Sequence, residues 1–404
     1  MIFIYEDEHW RNLLPLVHLR PVFDLRCGRR TLLEKFQALY PREKFGLLVR
    51  SDLSPLAREQ HPGLRVRPVG LVGQVRPAPR SEPFALFISG RAILDKPLPV
   101  RGREEVFTNG REIVGFRAKP ARIKSLPVSS ARIRSWRLPE RKVLASIVKY
   151  PWNLVEFNEP ELVRELKWSS GRRARWPGVD IIGNPRNLRL ARGAQVEPGV
   201  VFDLRLGRIL IDERAQIRAR SVVAGPCYIG KGTVIDAALV RPGCSFGPDC
   251  RIGGEVEASV FLGHANKHHE GFIGHAVVGE WVNLGALTAN SDLRNDYGEV
   301  KVMVNGRAHN TLLRKFGCVI GDHAKTAIGS LLNTGAVLGI FANWFEPGLS
   351  PKAVPDFARG SRARGKLNEL IATARTVMSR RGVRLSPDHE QLVRRIYAQK
   401  KSEV

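Results

Sequence analysis

The chain has 404 residues, enough for two or three domains with a substantial core, and 65 basic against 39 acidic side chains give a net charge of +26. It has no apolar run long enough to span a bilayer, and Met1–Glu8 lacks the basic start of a signal peptide, so we expect no membrane partner. The basic residues are spread without an aromatic-interleaved cluster, so specific nucleic-acid binding is not expected. Five cysteines without a CxxC pair predict a cytoplasmic location.

Residues 1–150 have the pattern of an α/β domain. Short apolar runs predict buried strands of a parallel sheet, and helices are predicted between and after them. The predicted strands are Met1–Tyr5, Phe45–Val49 and Phe84–Ile88, and the predicted helices are Thr31–Leu39, Val143–Val148 and Leu154–Leu166. Residues 151–178 are assigned to a linker helix and a basic linker, Ser169–Gly178, rich in turn residues.

Residues 179–346 repeat with a period of six, which fits neither a helix nor an ordinary strand. The runs are Leu190, Val196, Phe202; Ile211, Ile217, Val223, Ile229, Ile235; Phe246, Ile252; Val278, Leu284; and Ile320, Thr326, Leu332, Leu338. Such spacing predicts a chain wound into a three-sided coil with one short strand per side. We therefore predict a left-handed parallel β-helix. Glycine often follows the apolar residue, as in Ile229-Gly230, and we expect it to supply the backbone angles of the corners.

The register is lost over 287–316, where Val300–Val304, Asn305-Gly306 and Arg307–Leu312 predict a hairpin. Because excursions from a solenoid commonly carry a binding face, we expect this segment to face a ligand. Residues 347–404 are predicted to form a short helical tail, with helices near Ala363–Ser379 and Asp388–Gln399.

Two segments resemble a known family. Gly254–Gly263, Asn266–His275 and Ala276–Ala286 resemble the β-helix of the bifunctional N-acetylglucosamine-1-phosphate uridyltransferase/glucosamine-1-phosphate acetyltransferases, the GlmU-like proteins. Asn12–Pro21 resembles the segment after the phosphate loop of sugar-phosphate nucleotidyltransferases. The resemblance implies a reduced nucleotidyltransferase-like domain before an acyltransferase-like β-helix, with homotrimers whose active sites lie between subunits.

Acyl transfer to an amine needs a base that is effective near neutral pH, a role to which histidine is suited. The resemblance implies that His269 is this base, whereas the neighbouring His268 is expected to be a loop residue. Asn283 matches a sugar-contacting asparagine, although a stacked asparagine of the β-helix is an equal alternative. Phe272 stands where the family has a tyrosine, in the substrate site.

Other differences from the family's sequence pattern change the charge of a residue. Glu257 replaces a phosphate-contacting lysine and Asp292 stands at an asparagine position, so the resemblance leaves the acceptor open. Arg294 and Lys301, on the excursion, could replace the missing phosphate contacts, or be solvated surface charges. Asp292 and Lys325 lie where the family's acetyl-CoA groove is expected, which makes them candidate cofactor-binding residues.

The N-terminal site departs further from the family. A nucleoside triphosphate calls for a glycine-rich loop, but Tyr5–Arg11 has no glycine and three carboxylates, and only Arg11 matches, as a candidate substrate-binding residue. The family's Mg²⁺-binding aspartate falls near Ser89-Gly90-Arg91, where an arginine stands. We therefore predict no metal site and a degenerate domain, with Mg²⁺ required only if the domain is active.

The sequence thus predicts a cytoplasmic sugar-nucleotide-pathway transferase that acylates an amino sugar phosphate or a related amine from acetyl-CoA. Two alternatives remain open. One is a sugar-phosphate nucleotidyltransferase that makes a nucleotide-sugar, and the other is a non-catalytic sugar-phosphate-binding or regulatory protein.

Overall fold

The computed structural model describes residues 1–67, 84–123, 127–168 and 176–400. The N-terminal domain is built on a seven-stranded mixed sheet with the order β10-β8-β9-β6-β1-β4-β5. Its strands, with two small hairpin pairs, are β1 Ile2–Tyr5, β2 Arg26–Cys27, β3 Arg30–Thr31, β4 Phe45–Leu48, β5 Arg65–Arg67, β6 Ala85–Ser89, β7 Ala92–Leu94, β8 Glu105–Asn109, β9 Glu112–Ala118, β10 Glu140–Lys142 and β11 Ala145–Ile147. The three predicted strands are β1, β4 and β6, and β1 pairs in parallel with both others.

Short helices surround this sheet. They are α1 Leu32–Leu39, α2 Ser54–Gln60, α3 Ser130–Ser135, α4 Pro151–Glu156 and α5 Asn158–Glu165, with 3-10 turns at Glu8–Leu13, Val22–Asp24 and Pro120–Arg122. The predicted helix Thr31–Leu39 is confirmed as α1, and Thr31 and Glu34 form a capping box at its start.

Two helix predictions near the end of this domain were wrong in detail. Val143–Val148 is not a helix: Ala145–Ile147 is strand β11, paired antiparallel with β7. Its β-branched residues suit a strand, and the partner strand Ala92–Leu94, far earlier in the chain, decides the outcome. The predicted helix Leu154–Leu166 is instead two, α4 and α5, broken at Phe157. The predicted basic linker 169–178 falls largely outside the described residues.

The second half of the chain is a three-sided β-helix whose coils are each built mainly from three short parallel strands. Face 1 contains β13 Leu188–Leu190, β16 Ile209–Ile211, β19 Cys227–Ile229, β21 Cys244–Phe246, β23 Val260–Phe261, β26 Val277–Val278, β30 Cys318–Ile320, β33 Ala336–Leu338 and β35 Ala353–Val354. Face 2 contains β14 Gln195–Val196, β17 Gln216–Ile217, the starts of β20 Val234–Val240 and β22 Arg251–Glu257, β24 Asn266–Lys267, β31 Lys325–Thr326, β34 Asn343–Trp344 and β36 Ala358–Arg359. Face 3 contains β12 Asp180–Ile182, β15 Val201–Asp203, β18 Val222–Ala224, the ends of β20 and β22, β25 Phe272–Gly274, β27 Ala289–Asn290 and β32 Leu331–Leu332.

The six-residue period therefore predicted the architecture, and its apolar residues fill the interior of the coil. Ile211, Ile229 and Phe246, for example, are fully buried and stack in register along face 1. This internal ladder explains why the period is six: each side of the coil, strand plus corner, uses about six residues.

The glycines after the apolar positions serve a different purpose from the one predicted. Gly230 and Gly253 do not have positive φ angles. An added Cβ would lie 2.5 Å from the Phe246 carbonyl oxygen at Gly230, and 1.9 Å from the His268 carbonyl oxygen at Gly253. These glycines allow adjacent coils to approach closely. The left-handed corner conformations are often carried by other residues, such as His323 at φ 60° and Phe341 at φ 56°.

The excursion forms the predicted hairpin, with β28 Lys301–Val304 paired antiparallel to β29 Arg307–Asn310. It does not stand free on a ligand face. Val300, Val302 and Phe316 are buried in the same apolar cluster as the core of the N-terminal domain. The amide of Asn305, at the hairpin tip, donates to the carbonyl oxygen of Arg11 at 3.2 Å. The excursion thus helps to hold the two domains together.

The C-terminal tail adds a short antiparallel pair, β36 with β37 Ala363–Arg364, and helices α6 Leu367–Ser379 and α7 Pro387–Gln399. Both tail helices are confirmed, although α6 starts four residues later than predicted because 363–364 pair as a strand. Their apolar faces pack on one corner of the β-helix, at Trp281, Phe341 and Phe357, together with residues of α2. None of the helices in the described ranges could traverse a membrane.

Charged contacts also join the domains. Arg20, only 6% exposed, donates to Asp322 of the β-helix at 2.8 Å, and its guanidinium lies 3.4 Å from Glu280. His18 bonds to Asp356 at 2.9 Å. Both basic residues belong to the motif Asn12–Pro21, so this segment contacts the β-helix directly.

Candidate functional site

His269 lies at the corner between faces 2 and 3, in the turn that joins β24 to β25. Its side chain is exposed, and within the described residues its imidazole makes no hydrogen bond. The corner is held through the backbone: the carbonyl oxygen of His269 accepts from the ammonium of Lys267 at 2.6 Å. The predicted base is thus free to meet a ligand or a second subunit.

The neighbouring His268, whose ring lies 5.3 Å from that of His269, does have a hydrogen-bond partner. Its Nε2 lies 2.8 Å from a carboxylate oxygen of Asp236, which also accepts from Arg218 at 2.8 Å. The hydrogen bond from His268 and the charge of Arg218 lower the pKa of Asp236. His268 was expected to be a plain loop residue, but it is an oriented histidine.

Asn283 lies on face 2 beside the corner. The amide of Asn266 donates to its side-chain oxygen at 2.6 Å, and backbone bridges link Asn283 to Asn266 and Lys325 on the adjacent coils. This asparagine ladder corresponds to the alternative of a stacked β-helix asparagine. The Asn283 side chain is half-buried, and its NH₂ group has no protein partner within the described ranges, so that group can still donate to a hydroxyl.

Face 3 carries a second histidine–carboxylate pair next to Phe272. His275 Nδ1 lies 2.7 Å from Asp292 Oδ2, and the Phe272 ring covers Gly274 between them. Burial opposes ionisation of Asp292, but the hydrogen bond and charge of His275 outweigh it, so its pKa is lowered. The candidate cofactor residue Asp292 is therefore already bound by an imidazole.

Two of the other charges considered for the acceptor, Glu257 and Arg294, are held in local ion pairs. Lys315 lies 3.7 Å from Glu257, and Arg294 donates to Asp296 at 2.8 Å. Lys301 is exposed on β28 at the edge of the excursion. Arg294 and Lys301 thus lie on the segment that joins the domains.

Lys325 lies on face 2 with its ammonium directed to the chain itself. Its Nζ donates to the carbonyl oxygen of His323 at 3.1 Å, and burial lowers its pKa to about 8. To contact a phosphate of acetyl-CoA, Lys325 would have to leave this carbonyl.

In the N-terminal domain, the segment Tyr5–Arg11, which stands where the resemblance places the phosphate loop, contributes Asp7 to a buried ion pair. Arg91 Nε lies 2.9 Å from both carboxylate oxygens of Asp7, and the Ser89 hydroxyl donates to Asp7 at 2.8 Å. Arg11 is exposed and stacks on Trp10 at 4.6 Å. A guanidinium that neutralises the nearest carboxylate leaves no oxygen set for Mg²⁺, so the residues here do not fit the ion. The described residues also contain no group of three metal-ligating side chains.

The sequence did not reveal the partners of these residues. His275 and Asp292 are 17 positions apart, and Asp7 and Arg91 are 84 apart. Lys267 was not predicted to be a site residue, although it lies within Asn266–His275, one of the segments that resemble the family. The sequence contained one signal for the Asp7–Arg91 ion pair. Arg91 stands where the family has a carboxylate, and an arginine there needs a negative charge nearby.

Comparison with known proteins gives one family match and several curated relatives. Residues 2–174 match the profile of the family described as sugar nucleotidyl transferase. A bifunctional sugar-1-phosphate nucleotidylyltransferase/acetyltransferase from Sulfurisphaera tokodaii is 32% identical over 195 residues, 48% of this chain and 42% of the relative. Bifunctional GlmU proteins from Jannaschia sp. (36% over 145 residues; 33% of this chain and 31% of the relative) and Synechococcus sp. RCC307 (34% over 204 residues; 48% and 39%) also match. The chain thus spans less than half the length of these relatives.

Proposed function

Because the chain is related to the GlmU-like bifunctional transferases, we propose that its β-helix transfers an acetyl group from acetyl-CoA to an amino sugar phosphate or a related amine. The observation that carries this proposal is the exposed His269 at a β-helix corner, beside Phe272 and the polar residues of face 3.

The reaction forms a bond between the acceptor nitrogen and the acyl carbon and breaks the bond from that carbon to sulfur. The attacking nitrogen must lose a proton, and His269 accepts it on its unoccupied imidazole. Asn283 offers its NH₂ group to an acceptor hydroxyl, and Phe272 supplies an apolar wall for the sugar ring. The thiolate of coenzyme A leaves and takes up a proton from water.

The chain's departures from its relatives bear on the acceptor. Glu257 is the cross-strand neighbour of Gly274 on face 3, and Asp292 lies beside the same glycine; the two carboxylates are balanced by Lys315 and His275. A phosphate at this position would have to compete with these carboxylates, whereas an amine would be attracted to them. We therefore favour an acceptor whose phosphate, if present, reaches Arg294 or Lys301.

We further propose that the N-terminal domain is degenerate as a nucleotidyltransferase, despite the match over residues 2–174. The Asp7–Arg91 pair supports this, because it neutralises the carboxylate nearest to the absent phosphate loop. A cytoplasmic location is supported by five buried, unpaired thiols.

Assembly is part of the proposal. Exposed apolar side chains form a stripe along the corner between faces 2 and 3 and the adjoining face: Leu287, Ile328, Leu331, Phe345 and Leu349. His269 lies at the same corner. We propose a homotrimer in which this stripe is buried and a neighbouring subunit completes the site around His269.

One panel assay tests the function: thiol release from acetyl-CoA and pyrophosphate release from nucleoside triphosphates, each measured over a set of amino sugars and sugar phosphates. Thiol release that depends on an amine supports acyl transfer. Pyrophosphate release without thiol release supports the nucleotidyltransferase alternative, and binding without either product supports a regulatory protein.

A further inference from the structure

One charged side chain lies inside the β-helix, within the apolar ladder of face 2. Successive coils stack the inward residues Ile217, Ile235, Ile252, Lys267, Leu284, Thr326 and Trp344. Lys267 is only 2% exposed. Its aliphatic stem takes the place of an apolar side chain, but its ammonium has to find an acceptor within the protein.

The acceptor is the backbone of His269. Lys267 Nζ donates to the His269 carbonyl oxygen at 2.6 Å, and no other hydrogen bond of this ammonium is found in the described part of the chain. Gly254, on the preceding coil, makes room for it. A Cβ at Gly254 would lie 2.8 Å from Nζ, and φ there is +64°, a conformation that favours glycine.

This arrangement disfavours the charged lysine. Burial lowers the pKa of Lys267 to about 8, and the nearby charge of Glu270 compensates only in part. A methionine of similar length would fill the same space without a desolvated charge. A lysine at this position therefore lowers stability, and what it provides in return is a fixed backbone at His269.

We propose that Lys267 is a positioning residue that anchors the corner 268–271 from inside the β-helix and so places His269 for proton transfer. This inference rests on the proposed acyl transfer. In the described residues the His269 imidazole makes no hydrogen bond, and its ring contacts only that of His268, at 5.3 Å between centroids, so its position depends mainly on the backbone that carries it. A displacement of about 1 Å at a reacting group costs up to roughly 10²-fold in rate.

The test compares Lys267→Met, which removes the donor and keeps the bulk, with Lys267→Gln, which keeps an N–H donor. Lys231→Met is the control, because Lys231 is half-exposed and forms a surface ion pair with Glu213 at 3.2 Å. For each chain we would measure the melting temperature, kcat and KM for thiol release, and hydrogen exchange of the Glu255 and Leu287 amides, which donate to the corner carbonyl oxygens of Gly271 and Glu270 at 3.1 and 2.8 Å.

We expect Lys267→Met to melt at the same or a higher temperature while kcat falls by about tenfold or more. KM for acetyl-CoA should change little, and the Glu255 and Leu287 amides that donate to the corner should exchange faster. Lys267→Gln should retain more turnover than the Met variant. If the Met variant does not fold, Lys267→Gln is compared with the unmodified protein instead. Unchanged kcat and unchanged exchange in folded variants would overturn the proposal.

The exchange measurement separates this inference from the proposed function. If the unmodified protein releases no thiol with any acceptor, acyl transfer fails as the function, and with it the catalytic purpose of the anchor. If the protein is active but Lys267→Met keeps both turnover and protection, only the anchor fails.

Discussion

Arg91 and Asp7 form a buried ion pair in the N-terminal domain, at the position where the relatives' triphosphate site is expected. The guanidinium Nη2 lies 2.9 Å from Asp7 Oδ2, and Arg91 is 3% exposed. Asp7, a carboxylate that would repel a phosphate group, is thus neutralised by Arg91, which stands where the resemblance places a Mg²⁺-binding aspartate. Each of these two departures from the family compensates the charge of the other.

This pair predicts that the domain performs no magnesium-dependent nucleotidyl transfer. With uridine or thymidine triphosphate and sugar 1-phosphates, pyrophosphate release should stay at background with and without Mg²⁺. Robust release that Arg11→Ala abolishes would contradict the prediction and show that Arg11 alone suffices at the loop.

The same pair makes a prediction about stability. Arg91→Ala leaves Asp7 buried without its counter-charge and should lower the free energy of unfolding by about 3–5 kcal/mol. Asp7→Asn combined with Arg91→Met should cost less than Arg91→Ala alone, because no uncompensated charge remains. Urea unfolding of the three proteins measures this, and a double variant that is the least stable of them would argue against the pair.

His269→Ala should lower the turnover of acyl transfer by roughly 10²–10⁴-fold, with little change in acetyl-CoA affinity. His268→Ala is the neighbouring control and should be mild, although it also frees Asp236. Equal, small losses in both variants, or a large loss only in His275→Gln, would remove His269 from the reaction.

Substitution within the apolar stripe should disrupt the trimer. Ile328, 76% exposed, becomes buried in the proposed assembly, so Ile328→Glu should convert trimers to monomers in light scattering at micromolar concentration. Leu206→Glu is a matched control at a 74% exposed position outside the stripe, and should leave the trimer intact. A monomeric unmodified protein across this range would end the shared-site hypothesis.

Lys267 should make stability increase with alkaline pH. Its pKa is about 8 in the folded protein against an ordinary value of 10.5, so between these values the unfolded chain binds more protons. The penalty for the buried charge is complete below pH 8 and is relieved as pH rises, by up to about 3 kcal/mol. Unfolding of the protein and of Lys267→Met at pH 7 and pH 10 should show the Met variant's advantage shrinking. A difference that is independent of pH would mean that the ammonium is not desolvated.

The sequence by itself determined the β-helix, because a six-residue period decides which side chains face inward regardless of what the coil packs against. It also determined the parallel strands of the N-terminal sheet, the hairpin of the excursion and the two tail helices, whose signals are local. It misassigned Ala145–Ile147, since a weakly patterned segment takes its conformation from the strand it meets.

Tertiary structure alone decided which charges meet. Arg20 and Asp322 are 302 positions apart and become partners only because the N-terminal domain packs on the β-helix. Lys267 reads as a surface lysine until the register places it between Ile252 and Leu284. The sequence was enough to predict the β-helix and to single out His269. The burial and the partners of side chains depend on contacts between distant segments. These contacts lower the pKa of Lys267 and leave the His269 imidazole without a hydrogen bond in the described residues.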